Sequence, residues 1–339
     1  MVFSHKPVFK GFLLFFFLLV LGAANGENLT VSLNQVSDIE APSIFPGAYL
    51  TSYIDARNAR EAARPYWAAT EAEQKSLSAR PLESIILNND ILAYYGHPLS
   101  RNMGILGRYT KEELNAQLTT LAKEYDAVNG ARGVKKAFYI IYGTVWPKGE
   151  IGIIKESVLK EYVDYALAND ILIFIDHQIG RYDPVESLKR MLPWLRYPNV
   201  HLALDPEWRT DIPMKEIGTV SAEEINRAQR VMEDYIIENR IPGERFLVVH
   251  QFNWMMISER GNVRADFKRV RLVHCADGHG PPHVKRSTYA YNAQAANIPV
   301  KSFKLFYDFQ IPGAGVDRPL LKPKEVLELN PRPYIIMYQ

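Results

Sequence analysis

Residues 201–208 read HLALDPEW. A short apolar run ends there in two carboxylates, Asp205 and Glu207, with the indole of Trp208 beside them. Side chains alternate between the faces of a strand, so a strand reading puts Asp205 and Glu207 on the same side of one strand end. Two carboxyl groups held that close perturb each other, and one tends to keep its proton toward neutral pH. A protonated acid beside an ionised one is the equipment of glycosidic bond cleavage.

Seven further runs of this kind lie along the chain. They are ILAYYG from Ile91, AFYIIYG from Ala137, ILIFID from Ile171, FLVVHQF from Phe246, VRLVHCAD from Val270, SFKLFYD from Ser302 and YIIMYQ from Tyr334. With the run at His201 they make eight, each short, apolar and often β-branched or aromatic, as buried parallel strands are. Helix signals fall between them. Thr110 and Glu113 form a capping box ahead of Leu114, Leu118 and Leu121, and Ser221 and Glu224 form another ahead of Ile225, Val231 and Ile236. Asp183 caps a helix opened by Pro184, before Leu188, Met191 and Leu192. Ile154, Val158, Tyr162 and Tyr165 keep helical spacing, and 323–329 reads as a short helix.

Alternating strands and helices over this length predict an α/β fold, a (β/α)8 barrel of the TIM type over residues 85–339. A doubly wound open sheet is the alternative, but no glycine-rich dinucleotide loop follows the first strand. No helix follows the eighth run. The alanine-rich, charged stretch 55–79 reads as a helix that covers that gap.

The chain has 339 residues, 47% hydrophobic and 23% charged, as in an ordinary globular protein with a sizeable core. A net charge of +2 gives no electrostatic case for a nucleic-acid partner or an anionic membrane. Lys6 and Lys10 followed by the apolar run 12–21 read as a secretory signal over residues 1–26, with cleavage before Glu27; the run is short for a membrane span, and an uncleaved anchor is the alternative. Residues 27–84 then form a linker and a helical extension. The expected location is secreted or periplasmic, with no membrane span after cleavage. Asn28 opens a glycosylation acceptor pattern. Cys275 is the sole cysteine, so no intrachain disulfide forms, and it reads as a small buried apolar residue.

In a barrel, chemistry gathers at the C-terminal strand ends, and here those ends are polar. In chain order they carry Tyr95 and His97, then Trp146, then Asp176 and Gln178, then Asp205, Glu207 and Trp208. The remaining strands carry His250 and Gln251, Asp277, Asp308, and Tyr338. A lone His or Asp at a strand end is ordinarily a satisfied structural group. Carboxylates from several strands over one mouth are costly unless they serve a purpose.

Glu207, furthest past its strand, is assigned as general acid, with Asp205 ionised beside it and Asp176 tuning Asp205. Tyr95, His97, Trp146, Gln178, Trp208, His250, Gln251, Asp277, Asp308 and Tyr338 are assigned to substrate, the aromatic rings offering flat faces to sugars. Asp277 or Asp308 could instead be the base or nucleophile. Trp254, in WMMI at helical spacing, reads as core packing. The connection 209–220 and the glycine- and proline-rich stretch 278–283 would wall the cleft. No cofactor or metal is expected.

The D-x-E of DPEW resembles the fourth-strand arrangement of chitinase-like and lysozyme-like (glycoside hydrolase 25) barrels. That resemblance implies Glu207 as acid and Asp205 as its assistant. The longer DxxDxDxE pattern is not present, because Leu202 and Ala203 stand before Asp205. More of the chain, through YYGHP, MGILG, LALDPEWR, IGTVSAEEIN, LVVHQF, KLFYD and the final YQ, is similar to a group of secreted bacterial barrel proteins, many of them actinobacterial lipoproteins. The lipidated cysteine of that group is missing from this sequence.

The function expected is therefore a secreted glycoside hydrolase-like enzyme acting on a cell-envelope or environmental polysaccharide. One alternative is a metal-dependent phosphodiesterase or deacetylase built on His97, His250, His274, Asp277 and the D-x-E of Asp205 and Glu207, although no HxH or HExxH spacing occurs. The other is a non-catalytic glycan-binding barrel.

Overall fold

The computed structural model describes residues 84–339. The expected signal peptide, the acceptor at Asn28 and the helix expected at 55–79 lie outside the described residues. All eight apolar runs are strands: β1 (Asn89–Gly96), β2 (Gly133–Val145), β3 (Ile171–Gln178), β4 (Val200–Asp205), β5 (Arg245–His250), β6 (Val270–Ala276), β7 (Lys301–Leu305) and β8 (Ile335–Tyr338). Each pairs in parallel with the next, and β8 pairs back onto β1 with Ile91 opposite Ile335. The sheet is thus a closed eight-stranded parallel barrel of the TIM type.

The period of two sorts each strand between two cores. Ile91, Ala93 and Tyr95, Ala137, Tyr139 and Ile141, and Leu172 and Phe174 fill the barrel, together with Phe246, Val248, Val273, Cys275 and Met337. The alternate residues, such as Leu92, Phe138, Ile173, Leu202, Leu247 and Phe303, face outward to the helices. Cys275 is fully buried, as its place in an apolar run implied.

The helices follow their start signals. After a single helical turn at Ile85–Asn88, they are α1 (Lys111–Asp126), α2 (Glu156–Ala168), α3 (Pro184–Met191), α4 (Ala222–Glu238), α5 (Pro282–Ala293) and α6 (Pro323–Leu327). Both capping boxes form, with Glu113 N–H on the Thr110 hydroxyl at 3.2 Å and Glu224 N–H on Ser221 at 3.1 Å. Asp183 accepts from Val185 N–H at 2.7 Å, with Pro184 just inside the helix. α5 escapes a periodicity reading because its buried face includes Lys285 and Asn292. Between β5 and β6 there is no α-helix, only two 3-10 turns, Trp254–Met256 and Arg260–Asn262, and the two-residue strand Ile257–Ser258. Trp254 is 60% exposed, which overturns its reading as core: WMMI buries Met256 and Ile257 and leaves Trp254 on the open side of a single turn.

Buried ion pairs close the other end of the barrel. Asp90 is held by Arg132 at 2.9 Å and Arg332 at 2.5 Å, and Arg271 pairs with Glu244 at 3.0 Å. Charged groups there sit on structural partners, which leaves chemistry to the C-terminal face. Among the described residues, no helix is long and apolar enough to cross a membrane.

Candidate active site

Four strands, one mid-strand tyrosine and one turn bring ionisable groups to the inside of the barrel mouth. Tyr95, Asp176, Asp205 and His250 lie toward the C-terminal ends of the inward-facing rows of β1, β3, β4 and β5, Tyr139 lies midway along that of β2, and Asp277 follows β6. The Tyr95 hydroxyl donates to Asp176 Oδ2 at 2.9 Å. His250 Nδ1 lies 3.0 Å from Asp277 Oδ2, and its Nε2 lies 2.8 Å from the Tyr139 hydroxyl and 3.8 Å from Asp176 Oδ2. The Lys304 ammonium, from β7, sits 3.6 Å from the centre of the Tyr95 ring. All of these side chains are buried.

Glu207 reaches the cluster by a different route from the one its spacing suggested. Pro206 has no N–H to continue the ladder, so β4 stops at Asp205 and residues Pro206–Trp208 form a 3-10 turn. The connection 209–220 returns across this turn, and Gly218 N–H donates to Glu207 O at 2.6 Å. A Cβ at 218 would lie 2.3 Å from Arg209 N and 2.5 Å from Pro206 O, so only glycine allows the approach that pins the turn. Glu207 is partly exposed and interacts electrostatically with Asp205, Asp277, Lys304 and His250.

The electrostatics sort these groups into two protonation classes. Withdrawal from water, and then the charges of Asp205 and Asp277, hold the Glu207 carboxyl well above its ordinary range. Asp205 is pushed up to about 7 by burial first, reinforced by Asp176 and Asp277 and opposed by His250 and Lys304. Asp277 goes the other way. Burial alone would raise it, but the hydrogen bond and charge of His250, with Lys304 and Lys285, hold it below the usual value. Burial also opposes charge on His250, yet Asp176 and Asp277 outweigh it and keep the imidazole well above its normal range. His250 is therefore an imidazolium donating from both ring nitrogens. The site thus biases Glu207 and Asp205 toward their protonated forms and Asp277 toward its ionised form.

Lys285 supports this arrangement from behind. Its buried ammonium pairs with Asp317 at 3.2 Å and donates to Gly278 O at 2.5 Å and to Lys304 O, tying the loop after Asp277 to the end of β7. Asp317 in turn accepts from Gly280 N–H at 2.9 Å and Phe306 N–H at 3.0 Å. One oxygen each of Asp176, Asp205 and Asp277 is buried with no hydrogen-bond partner among the described residues.

Of the residues assigned from sequence, Tyr95, Asp176, Asp205, Glu207, His250 and Asp277 come together. His97, Trp146 and Trp208 stand in the rim loops, with His97 Nδ1 accepting from Leu99 N–H at 3.1 Å. Four others have structural partners. Gln178 accepts from Val145 N–H at 2.8 Å. Gln251 bonds His274 at 2.9 Å on the outer side of the wall. Tyr338 meets the Tyr125 hydroxyl at 2.8 Å under α1. Asp308 is paired with Arg318 and accepts from the backbone and side chain of Gln310 at 2.9 and 2.8 Å.

Tyr139 and Lys304 were missed, although alternation points to both. Tyr139 lies between the inward Ala137 and Ile141, and Lys304 alternates with the outward Phe303 and Leu305. The histidines of the metal alternative separate: His250 faces inward, while His274 faces outward onto Lys301 at 3.2 Å. Among the described residues, no three His, Cys, Asp or Glu are grouped to hold a metal ion.

No family model matches the chain, and no curated protein matches it. Among solved structures, a chitinase from Chromobacterium violaceum is 8% identical, with 64% of this chain and 68% of that one covered and a TM-score of 0.36. Concanavalin B is 12% identical over 75% and 94% of the two chains, with a TM-score of 0.39. Endo-glycoceramidase II from Rhodococcus sp. is 11% identical over 73% and 72%, with a TM-score of 0.34. Likeness at this level says nothing about chemistry, which rests on the side chains at the mouth.

Proposed function

We propose that this protein is a glycoside hydrolase working by carboxylate acid–base catalysis, exported to act on a cell-envelope or environmental polysaccharide. The observation that carries the reading is the gathering of Asp176, Asp205, Asp277 and His250 at the C-terminal mouth of the barrel beside Glu207, whose pKa is raised by burial and by the neighbouring Asp205 and Asp277. Glu207 gives its proton to the glycosidic oxygen as the bond from that oxygen to the anomeric carbon breaks. A water then adds to the anomeric carbon and returns a proton to the site.

Asp205 and Asp277 present negative charge to the positive charge that develops on the sugar. His250 keeps Asp277 ionised, and Tyr95 orients Asp176. The test is Glu207→Gln assayed on a panel of polysaccharides. Hydrolysis should disappear while the near-UV circular dichroism stays as in the parent. Undiminished hydrolysis in a folded variant removes Glu207 as the acid.

A further inference from the structure

Lys301 opens β7 and shares its outward row with Phe303 and Leu305, on the far side of the wall from the mouth. Its ammonium is buried and has no counter-ion: among the described residues, no carboxylate lies within 4.0 Å of it. The elements packed around it bring His274 from β6, Arg260 from the loop after β5, Tyr289 from α5 and Tyr334 from just before β8. None of these supplies a negative charge, since burial raises the pKa of both tyrosines. A buried cation without an anion is costly. Burial, and then the like charge of Arg260, pull Lys301 down to about 7.

The hydrogen bonds around this cation form a directed chain. All three of its N–H groups are used, on Asn292 O at 2.8 Å, Ala295 O at 2.9 Å and His274 Nδ1 at 3.2 Å. His274 Nδ1 therefore accepts, and the imidazole proton sits on Nε2, which donates to Gln251 Oε1 at 2.9 Å. Burial, Lys301 and Arg260 hold His274 well below its ordinary range, so the ring is neutral. Gln251 Oε1 also accepts from Arg260 Nη1 at 3.2 Å, and Gln251 Nε2 donates to Asn253 O at 3.2 Å. Asn253 caps the turn Trp254–Met256, and Arg260 opens the turn Arg260–Asn262. One side-chain amide, on the residue after His250, thus holds both turns of the loop.

From this arrangement we infer that Lys301 and His274 form a proton-operated latch on the loop after His250: loss of one proton from Lys301 reverses the hydrogen bonds as far as Gln251 and releases the two turns. A neutral amine keeps two N–H groups, enough for the two carbonyls of α5, and gains a lone pair directed at His274. His274 then carries its proton on Nδ1 instead of Nε2. Nε2, now an acceptor, would face Gln251 Oε1, so the amide turns over and donates to it. Gln251 Oε1 is left facing Asn253 O, and Arg260 loses its acceptor. One proton passes to solvent, and the other steps move no net charge. The loop is seated at acid pH and released at alkaline pH, beside the strand end that carries His250.

The test is 15N NMR of the full chain labelled at histidine, because the Nδ1 and Nε2 shifts report the tautomer directly. His274→Gln identifies the resonances. Between about pH 5.5 and 9, His274 should pass from the Nε2–H to the Nδ1–H form with a midpoint at about 7. Amide hydrogen exchange over 253–262, corrected for the intrinsic rate, should quicken about tenfold or more through the same interval. Arg260→Met removes the like charge and should move the tautomer midpoint to higher pH. Lys301→Arg keeps the charge and should hold His274 in the Nε2–H form throughout.

A single His274 tautomer across the whole range in the parent overturns the latch, and so does an unmoved midpoint in Arg260→Met. A tautomer change without faster exchange over 253–262 overturns the release of the loop. The same tautomer change in a folded Lys301→Arg removes Lys301 as its source. If that variant does not fold, the parent titration and Arg260→Met decide the matter alone.

Discussion

Replacing Asp205 by Asn should destroy activity and make the protein more stable, with a gain that depends on pH. Asp205 is buried, and its pKa stands at about 7 in the fold against 3.8 in an exposed carboxyl. Below pH 3.8 it is protonated in both the folded and the unfolded chain, and it has no effect on stability. Between 3.8 and 7 only the unfolded chain releases the proton, so each step up in pH favours unfolding. Above 7 both forms are ionised, and the penalty levels off at about 4 kcal/mol.

Asn is nearly the same shape and never ionises. Urea unfolding at pH 4 should therefore show little difference between variant and parent. At pH 8 the variant should be more stable by about 2–4 kcal/mol, less than the full penalty because Asp205 shares its charge balance with Asp176, Asp277 and His250. A difference that is flat with pH, or a variant less stable than the parent at pH 8, would refute the placement of Asp205 in a crowded, dry cluster. Stability given up for function is a known property of active sites.

Other consequences can be checked alongside. Lys304→Met removes a cation that lowers the pKa of both Asp205 and Glu207, so the rising limb of the pH–activity profile should move to higher pH. His250→Gln leaves Asp176 and Asp277 without their shared cation and should cost about 3–5 kcal/mol in urea unfolding at pH 6.5. The raised pKa of His250 makes its contribution complete below 6.5 and lost as pH climbs through the folded value, so the deficit should shrink at high pH. Thr110→Ala removes one half of a capping box on the surface and should cost about 1 kcal/mol, read as a fall of roughly 2–4 °C in melting temperature with activity unchanged.

The barrel was legible because two signals coincide along the chain. Each strand pairs on both edges and is buried on both faces, which yields runs such as ILIFID and FLVVHQF with little polar interruption. Three of the four helices between β1 and β5 announce themselves through caps at Thr110, Asp183 and Ser221, which act locally and need no tertiary context, and α2 shows only through its apolar spacing. α5 was not legible, because Lys285 and Asn292 on its buried face are there to bond loop carbonyls, and their burial depends on partners distant in sequence.

The same division holds for the site. Asp176, Asp205 and Asp277 were found because a strand end fixes both position and facing. Gln251 and Tyr338 also lie at strand ends, but each faces the outer wall, and the polar partner that occupies it comes from another element. Glu207 converges with the others through a turn that Pro206 imposes and Gly218 permits, a contact across the 209–220 loop that strand spacing does not contain. Lys304 was the harder reading. A lysine in a strand is ordinarily placed at the surface, and only the inward partners of β7 show that this one is not.

The protonation state of Glu207 at neutral pH tests the central claim most directly. Infrared difference spectra of the parent against Glu207→Gln, recorded across a pH series, isolate that one carboxyl. A protonated-carboxyl C=O band should be present in the parent at pH 7, absent from the variant, and lost from the parent only at higher pH. A spectrum at pH 7 in which the substitution removes only carboxylate bands would contradict the acid role given to Glu207.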